Sequence, residues 1–224
     1  MSAVTVRKLA LALMAALSAS GCERELPHEA TVSQSITGYQ IEGYVTDRLG
    51  VPVKNVRIAL WYDFNPTDNT IAPSRSLYVD DPSKTVLLRV LDIQNKVVRI
   101  LFAGRAPVGD LDYRWNKTDS LGKLAPSGVY KIEFQLGGVI RNSYTQIVNG
   151  AISAETDSLG HYMIPDKNLP IDFSPAPLYS SDGSSFLGNY QITPFVVLEF
   201  HLDFIRRASL TLKRDEITRF DLRT

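Results

Sequence analysis

Few residues in this chain have the means to do chemistry. There is one thiol, Cys22, and there are three imidazoles, His28, His161 and His201. The histidines share no H-x-x-x-H or H-x-E spacing and have no cysteine partner, so no metal site is expected. The carboxylate pair Asp80-Asp81 stands beside Pro82 and reads as a loop. No G-x-S-x-G elbow, phosphate-binding loop or dinucleotide fingerprint occurs. The expectation is a protein that is not an enzyme, with no catalytic residue, no cofactor and no metal.

The thiol is placed for a different chemistry. Arg7 and Lys8 are followed by Leu9-Ala-Leu-Ala-Leu-Met-Ala-Ala-Leu17, an apolar run of nine. A spanning helix needs about 20 apolar residues, so this run reads as a secretory leader. It ends at Ala19-Ser20-Gly21-Cys22, which resembles a bacterial lipobox, with Ala19 standing where Leu is more usual. The resemblance implies cleavage after Gly21 and acylation of Cys22. Each buried methylene contributes roughly 0.8 kcal/mol, so the two or three chains of such an anchor hold the protein on a membrane. Glu23 follows the cysteine, and by resemblance to Gram-negative sorting the absence of Asp there favours the outer membrane.

Composition agrees with a folded secreted protein. The 224 residues hold 24 Lys and Arg against 24 Asp and Glu, with 44% hydrophobic residues. Without Arg7 and Lys8 the mature part is mildly acidic, which argues against nucleic acid as a partner. One cysteine cannot pair within the chain, so no disulfide framework exists. Residues 22–38 read as a tether with few large apolar residues, spanning roughly 20 Å as a flexible coil.

From about Tyr39 on, the dominant signal is alternation with period two, the mark of half-buried strands. Tyr130, Ile132, Phe134 and Leu136 share one face, as do Val56, Ile58, Leu60 and Tyr62. Val196, Leu198, Phe200, Leu202 and Phe204 form a third set, with Glu199, His201 and Asp203 opposite. Shorter runs occupy Tyr39–Thr46, Val86–Asp92, Lys96–Phe102, Ser209–Lys213 and Thr218–Arg223. Between them a turn recurs: Asp47-Arg-Leu-Gly50, Asp119-Ser-Leu-Gly122 and Asp157-Ser-Leu-Gly160, with Asp92-Ile-Gln-Asn95 as a looser relative. Asp caps backbone N–H groups from the first position of such a turn, and Gly or Asn closes it at positive φ. One carboxylate per turn is too few for calcium.

Two family resemblances follow. Gly43-Tyr-Val-Thr-Asp47-Arg-Leu-Gly50-Val-Pro52-Val53-Lys-Asn55-Val56 resembles the opening of a carboxypeptidase regulatory-like, prealbumin-like domain. Its second half resembles Thr156-Asp157-Ser-Leu-Gly160-His-Tyr162. The stretch between holds Tyr113-Arg-Trp115-Asn116-Lys-Thr-Asp119-Ser-Leu-Gly122 and Ser127-Gly128-Val129-Tyr130. Those resemble the immunoglobulin-like domain of the flagellar hook-capping protein, except that Lys117 replaces a usual glycine. The resemblance implies structural roles: Trp115 as a core side chain, Gly122 as a turn, and Gly128 as room beside Tyr130.

The expected architecture is all-β with two sandwiches. A prealbumin-like host uses residues 39–62 and 148–224, and an Ig-like sandwich at 63–147 is inserted into it. Two sequential sandwiches split near residue 148 are the alternative. Within the host, residues 165–194 hold five prolines and read as a long loop. Tyr179, Phe186 and Tyr190 in that loop would offer stacking faces to a glycan; otherwise they pin the loop to its own sandwich. Arg75–Asp81 is a second exposed candidate. The leading expectation is a lipid-anchored envelope protein presenting β-sandwiches to a protein partner, with glycan binding as the alternative.

Overall fold

Backbone alternation is realised as strands along most of the chain. The computed structural model describes residues 36–67, 76–171, 175–180 and 185–224. The leader, Cys22, His28, the tether up to Ser35 and Arg75 lie outside those residues. In chain order the strands are β1 (Tyr39–Thr46), β2 (Arg57–Pro66), β3 (Tyr78–Val79), β4 (Val86–Leu91) and β5 (Val97–Gly104). There follow β6 (Gly109–Asp110), β7 (Gly128–Leu136), β8 (Val139–Val148), β9 (Ile152–Glu155) and β10 (His161–Ile164). The last five are β11 (Ala176–Tyr179), β12 (Phe186–His201), β13 (Ile205–Thr211), β14 (Glu216–Arg219) and β15 (Leu222–Arg223). Among the described residues the only helical turn is a 3-10 turn at Asp166–Asn168. The fold is all-β, with its sheets in sandwich-like arrangements.

One sheet has the order β10-β1-β14, with β15 also on β1; a second runs β11-β12-β2-β9, with β13 on β12. These two sheets share a core. Ile41, Val45 and Ile164 come from the first, and Ile58, Leu60, Leu198 and Phe200 from the second. A third sheet, β5-β4-β7-β8, supplies a second core from Val86, Leu88, Val90, Ile132, Phe134 and Leu136, joined by Trp115 and Tyr130. Each fully buried aliphatic or aromatic side chain contributes about 1.5–3 kcal/mol, which is why one polar face per strand is tolerated.

The strand pattern differs from expectation at three places. Phe204 does not extend the buried face of β12, because the strand ends at His201 and a tight turn leaves it half exposed, while Leu202 still packs against the first core. Within residues 165–194, β11 and the first part of β12 form a hairpin in place of the expected loop, while 172–174 and 181–184 lie outside the described residues. Its prolines fit because Pro177 lies on a strand that pairs with β12 alone, while Pro194 falls where the β12–β2 register shifts. Finally, β2 continues to Pro66 opposite Tyr190, so the expected boundary after residue 62 falls inside a strand.

The four Asp turns share one geometry. Oδ1 of Asp47, Asp92, Asp119 and Asp157 each accepts two backbone N–H groups, from the residues two and four positions on, at 2.8–3.0 Å. Gly50, Asn95, Gly122 and Gly160 follow at φ of 83°, 62°, 79° and 72°. Asp92-Ile-Gln-Asn95 is thus a full member of the set, with Asn supplying the left-handed residue. The carboxylates are committed to backbone amides, and among the described residues no His, Cys, Asp and Glu group is arranged to hold a metal. Lys117 also adopts φ of 63°, so the backbone keeps a conformation that favours glycine despite its side chain.

Close approach explains Gly43 and adds a second demand at Gly160. A Cβ on Gly43 would lie 1.8 Å from the Phe220 carbonyl oxygen, and one on Gly160 would lie 2.5 Å from that of Val45. Val45 N–H donates to the Gly160 carbonyl at 2.8 Å, so the turns around Asp47 and Asp157 meet although 110 residues separate them. Gly128 is different: an added Cβ would touch the Tyr130 ring at 3.6 Å, an ordinary contact, so the expected demand for room is absent there.

An acid is buried on the outer face of β7. Glu133 is 2% exposed and lies opposite Arg89, whose guanidinium approaches to 2.7 Å; the Lys131 ammonium is 3.4 Å away. Desolvation pushes the Glu133 carboxyl up, but Arg89 and Lys131 together outweigh it and hold it below its ordinary value. The lowered pKa contributes stability above the unfolded-state carboxyl pKa, and that contribution is lost as pH falls through the folded one.

Two outcomes follow. Asp119→Ala should cost about 0.5–2 kcal/mol by urea denaturation, in line with lost side-chain caps, and Asp119→Asn, which keeps an acceptor oxygen, should cost less. Glu133→Gln should lose roughly 1–2 kcal/mol at neutral pH. The difference from wild type should shrink as the pH of the urea titration is taken below the ordinary carboxylate range.

Candidate functional site

The two cores meet along one seam, and the seam is polar. Alternation on β7 sends Val129 into the first core and Tyr130 into the second; on β8, Ile147 and Val148 divide the same way. Ser127, just before β7, is fully buried. Its hydroxyl donates to the Leu60 carbonyl at 2.8 Å and accepts the Ala151 N–H at 2.9 Å. Leu60 N–H donates to the Ala151 carbonyl at 3.3 Å, and Gly150 N–H to the Leu60 carbonyl at 2.9 Å. One hydroxyl therefore ties the entry to β7 to both β2 and the residue before β9.

Tyr62 adds a second tie. Its hydroxyl lies against the carbonyl oxygens of Ser127, at 3.1 Å, and Asn168, as their donor. Its backbone N–H donates to Asn149 Oδ1 at 2.8 Å. Burial, then the neighbouring Tyr130 phenol, pushes the Tyr62 phenol well above its ordinary pKa, so it stays a donor. Asn168 and Ser127 thereby supply buried acceptors, and Asn149 a partly buried one, that a purely apolar seam would lack.

A cleft of about 390 Å³ opens beside this seam. Lys96, Val97, Val98, Ser120, Lys167 and Asn168 are among the residues that line it. Its size and position, between two packed modules, are those of small-ligand sites. The carboxylates on its wall, Asp92 and Asp119, are the turn caps described above.

Trp115 and Tyr130 pack together at the margin of the second core. Their rings sit 4.9 Å apart at 61°, the Trp115 indole N–H donates to the Thr118 carbonyl at 2.8 Å, and the Tyr130 hydroxyl donates to that of Pro126 at 2.7 Å. Residues 63–137, a third of the chain, match the family model for the FlgD Ig-like domain. No curated protein and no solved structure matches the chain. The FlgD-type match runs from within β2 through β7 and includes the Trp115 turn, Ser127 and the buried Tyr130. The structural motif thus places its aromatic pair in the core, while its serine serves the seam.

The three aromatics expected in a loop do not form an open platform. Tyr179 is buried in β11, and its ring meets Phe186 at 5.6 Å and 59°. Tyr190 is half-buried and packs edge-on to Phe64 at 6.1 Å. Strand pairing brings Tyr179 and Phe186 together but carries Tyr190 to the β2 side. His161 stacks on Tyr44 at 5.1 Å, and His201 Nε2 lies 3.0 Å from Glu199 Oε1; the two histidines share no site. Asp80 pairs with Arg141 at 3.3 Å, and Asp81 caps Ser83.

Sequence reasoning missed Asn149 and Asn168, and it met Ser127 only as part of a motif, without its role in the seam. Their partners lie far along the chain, and the one signal was a hydroxyl among small residues, Ala125-Pro-Ser-Gly128. It also missed Trp61, 43% exposed, whose indole lies where a Cβ on Gly150 would stand 2.6 Å away.

The seam makes a measurable demand. Ser127→Ala leaves the Ala151 N–H without its buried partner and the Leu60 carbonyl with the Gly150 N–H alone, and should cost about 1–3 kcal/mol by chemical denaturation. Ser153→Ala, which removes the longer 3.3 Å bond to the Ser127 N–H, should cost less.

Proposed function

We propose that this chain is a non-enzymatic lipoprotein of the cell envelope that presents two joined β-sandwich modules to a protein partner. The observation that carries the reading is the FlgD Ig-like match over residues 63–137, a module built around a packed aromatic core with no catalytic constellation in its motif. The Ser127 and Tyr62 bonds lock that module to the first core, which suits a presenting scaffold. Around it, the first core uses the two segments that resemble a prealbumin-like host, with the Asp47 and Asp157 turns side by side.

The anchor is part of the same proposal. The basic Arg7 and Lys8, the nine-residue apolar run and Cys22 after small residues support acylation at Cys22 and an outer-membrane address. Among the described residues no helix is long and apolar enough to cross a membrane. A lipid tail on Cys22 would supply the attachment.

Crosslinking mass spectrometry on intact cells tests both parts together. The wild type should yield reproducible crosslinks to an envelope protein and incorporate labelled palmitate. Cys22→Ala should lose the label and those crosslinks. Recovery of the protein alone, or labelling that persists in Cys22→Ala, contradicts the proposal.

A further inference from the structure

A sheet edge is a row of unpaired N–H and C=O groups, and proteins usually blunt it. Most edges here are blunted. β9, β10, β11 and β14 have four residues each. β5 breaks register twice against β4, its Val98 carbonyl accepts the Ser120 N–H, and Arg99 is tied to Thr118 and the Asp119 carbonyl. β8 shifts register against β7.

β13 is the exception. Among the described strands it is the edge longer than four residues whose register is unbroken, from Phe195↔Thr211 to His201↔Ile205. Leu212 N–H donates to the Pro194 carbonyl, and Leu202 N–H to that of Phe204, on either side of this ladder. Antiparallel alternation then aims the backbone groups of Arg206, Ala208 and Leu210 at β12. Those of Ile205, Arg207, Ser209 and Thr211 point away, and all four residues are exposed. Among the described residues, β12 is the only strand that β13 pairs with.

The charge on this edge has one sign. Ile205-Arg-Arg-Ala-Ser-Leu-Thr-Leu-Lys-Arg214 holds four cations and no acid. Arg207 pairs with Glu199 at 2.9 Å on the outer face, yet its side chain stays 68% exposed. The Arg206 guanidinium stacks 4.9 Å from the Phe204 ring. A strand laid along β13 would place a side chain directly opposite Arg207, in line with Glu199 across the sheet. A carboxylate there continues an acid–base–acid row, and opposite charges on facing positions stabilise a sheet. A second copy would bring the same cations and meet like charge.

We propose that β13 is a docking edge for an extended acidic segment of a partner protein, which adds to the sheet as a further antiparallel strand. The open N–H and C=O groups of Arg207, Ser209 and Thr211 bind its backbone, and Arg206 and Arg207 select its carboxylates. This rests on the protein-contact reading above and names the surface that serves it.

The test uses the full chain and a fluorescein-labelled nine-residue peptide alternating Thr and Glu, against its Thr and Lys counterpart. Fluorescence anisotropy should show the Glu peptide binding at least tenfold tighter. Ser209→Pro removes an outward N–H and no bond to β12, so it should keep the wild-type melting temperature and weaken binding at least tenfold. Arg207→Glu should reverse the peptide preference, an independent readout should the proline variant misfold. Equal affinity for the two peptides, or undiminished binding to folded Ser209→Pro, overturns the proposal. So does wild-type self-association that Ser209→Pro abolishes, because a second copy would then cover the edge. Envelope crosslinks that persist in Ser209→Pro leave the contact reading standing and overturn β13 as its site.

Discussion

The Ser127 hydroxyl is the bond on which the rest of the structure depends. Two β cores packed face to face would ordinarily slide or hinge, since interfaces within a chain are often small and mobile. Here the start of β7 is fastened to the Leu60 carbonyl and the Ala151 amide by one buried side chain, and Tyr62 fastens the same turn to Asn168. A buried hydrogen bond is worth only about 1 kcal/mol net, but leaving one partner unmatched costs more, so the seam has one good arrangement and few acceptable others. The described residues from 36 on belong to one compact unit.

The same economy shapes the strand ends. Each of four Asp side chains satisfies two turn amides, and a Gly or Asn at positive φ closes the turn without strain. Leu49, Leu121 and Leu159 therefore stand at 87%, 89% and 66% exposure, because the turn geometry holds the third position away from either core. Buried acids follow a related rule. Glu133 lies on an outer sheet face beneath Arg89 and Lys131, and Glu199 lies beneath Arg207, so each carboxylate is covered by the cations that compensate it.

Local order was legible in the chain and long-range order was not. Period-two alternation located β1 to the residue, placed β4, β5 and β7 closely and found the second part of β12, because a half-buried strand writes its burial directly into its sequence. The D-x-L-G turns were legible for the same local reason. The hairpin of β11 and β12 was hidden by prolines that an edge strand and a register shift accommodate. Of the site, the Trp115 and Tyr130 pair was visible through its motif. Ser127 was visible only as part of that motif, because its partners lie 67 and 24 positions away. The open edge of β13 could not be read at all, since being an edge is a property of the sheet rather than of the strand.

The central claim is that the seam makes two cores unfold as one. Differential scanning calorimetry of the full chain measures this directly. A single transition, with calorimetric enthalpy equal to the van't Hoff enthalpy, is the predicted result. Two separable transitions, with the Trp115 core melting independently of the Trp61 side, would contradict it.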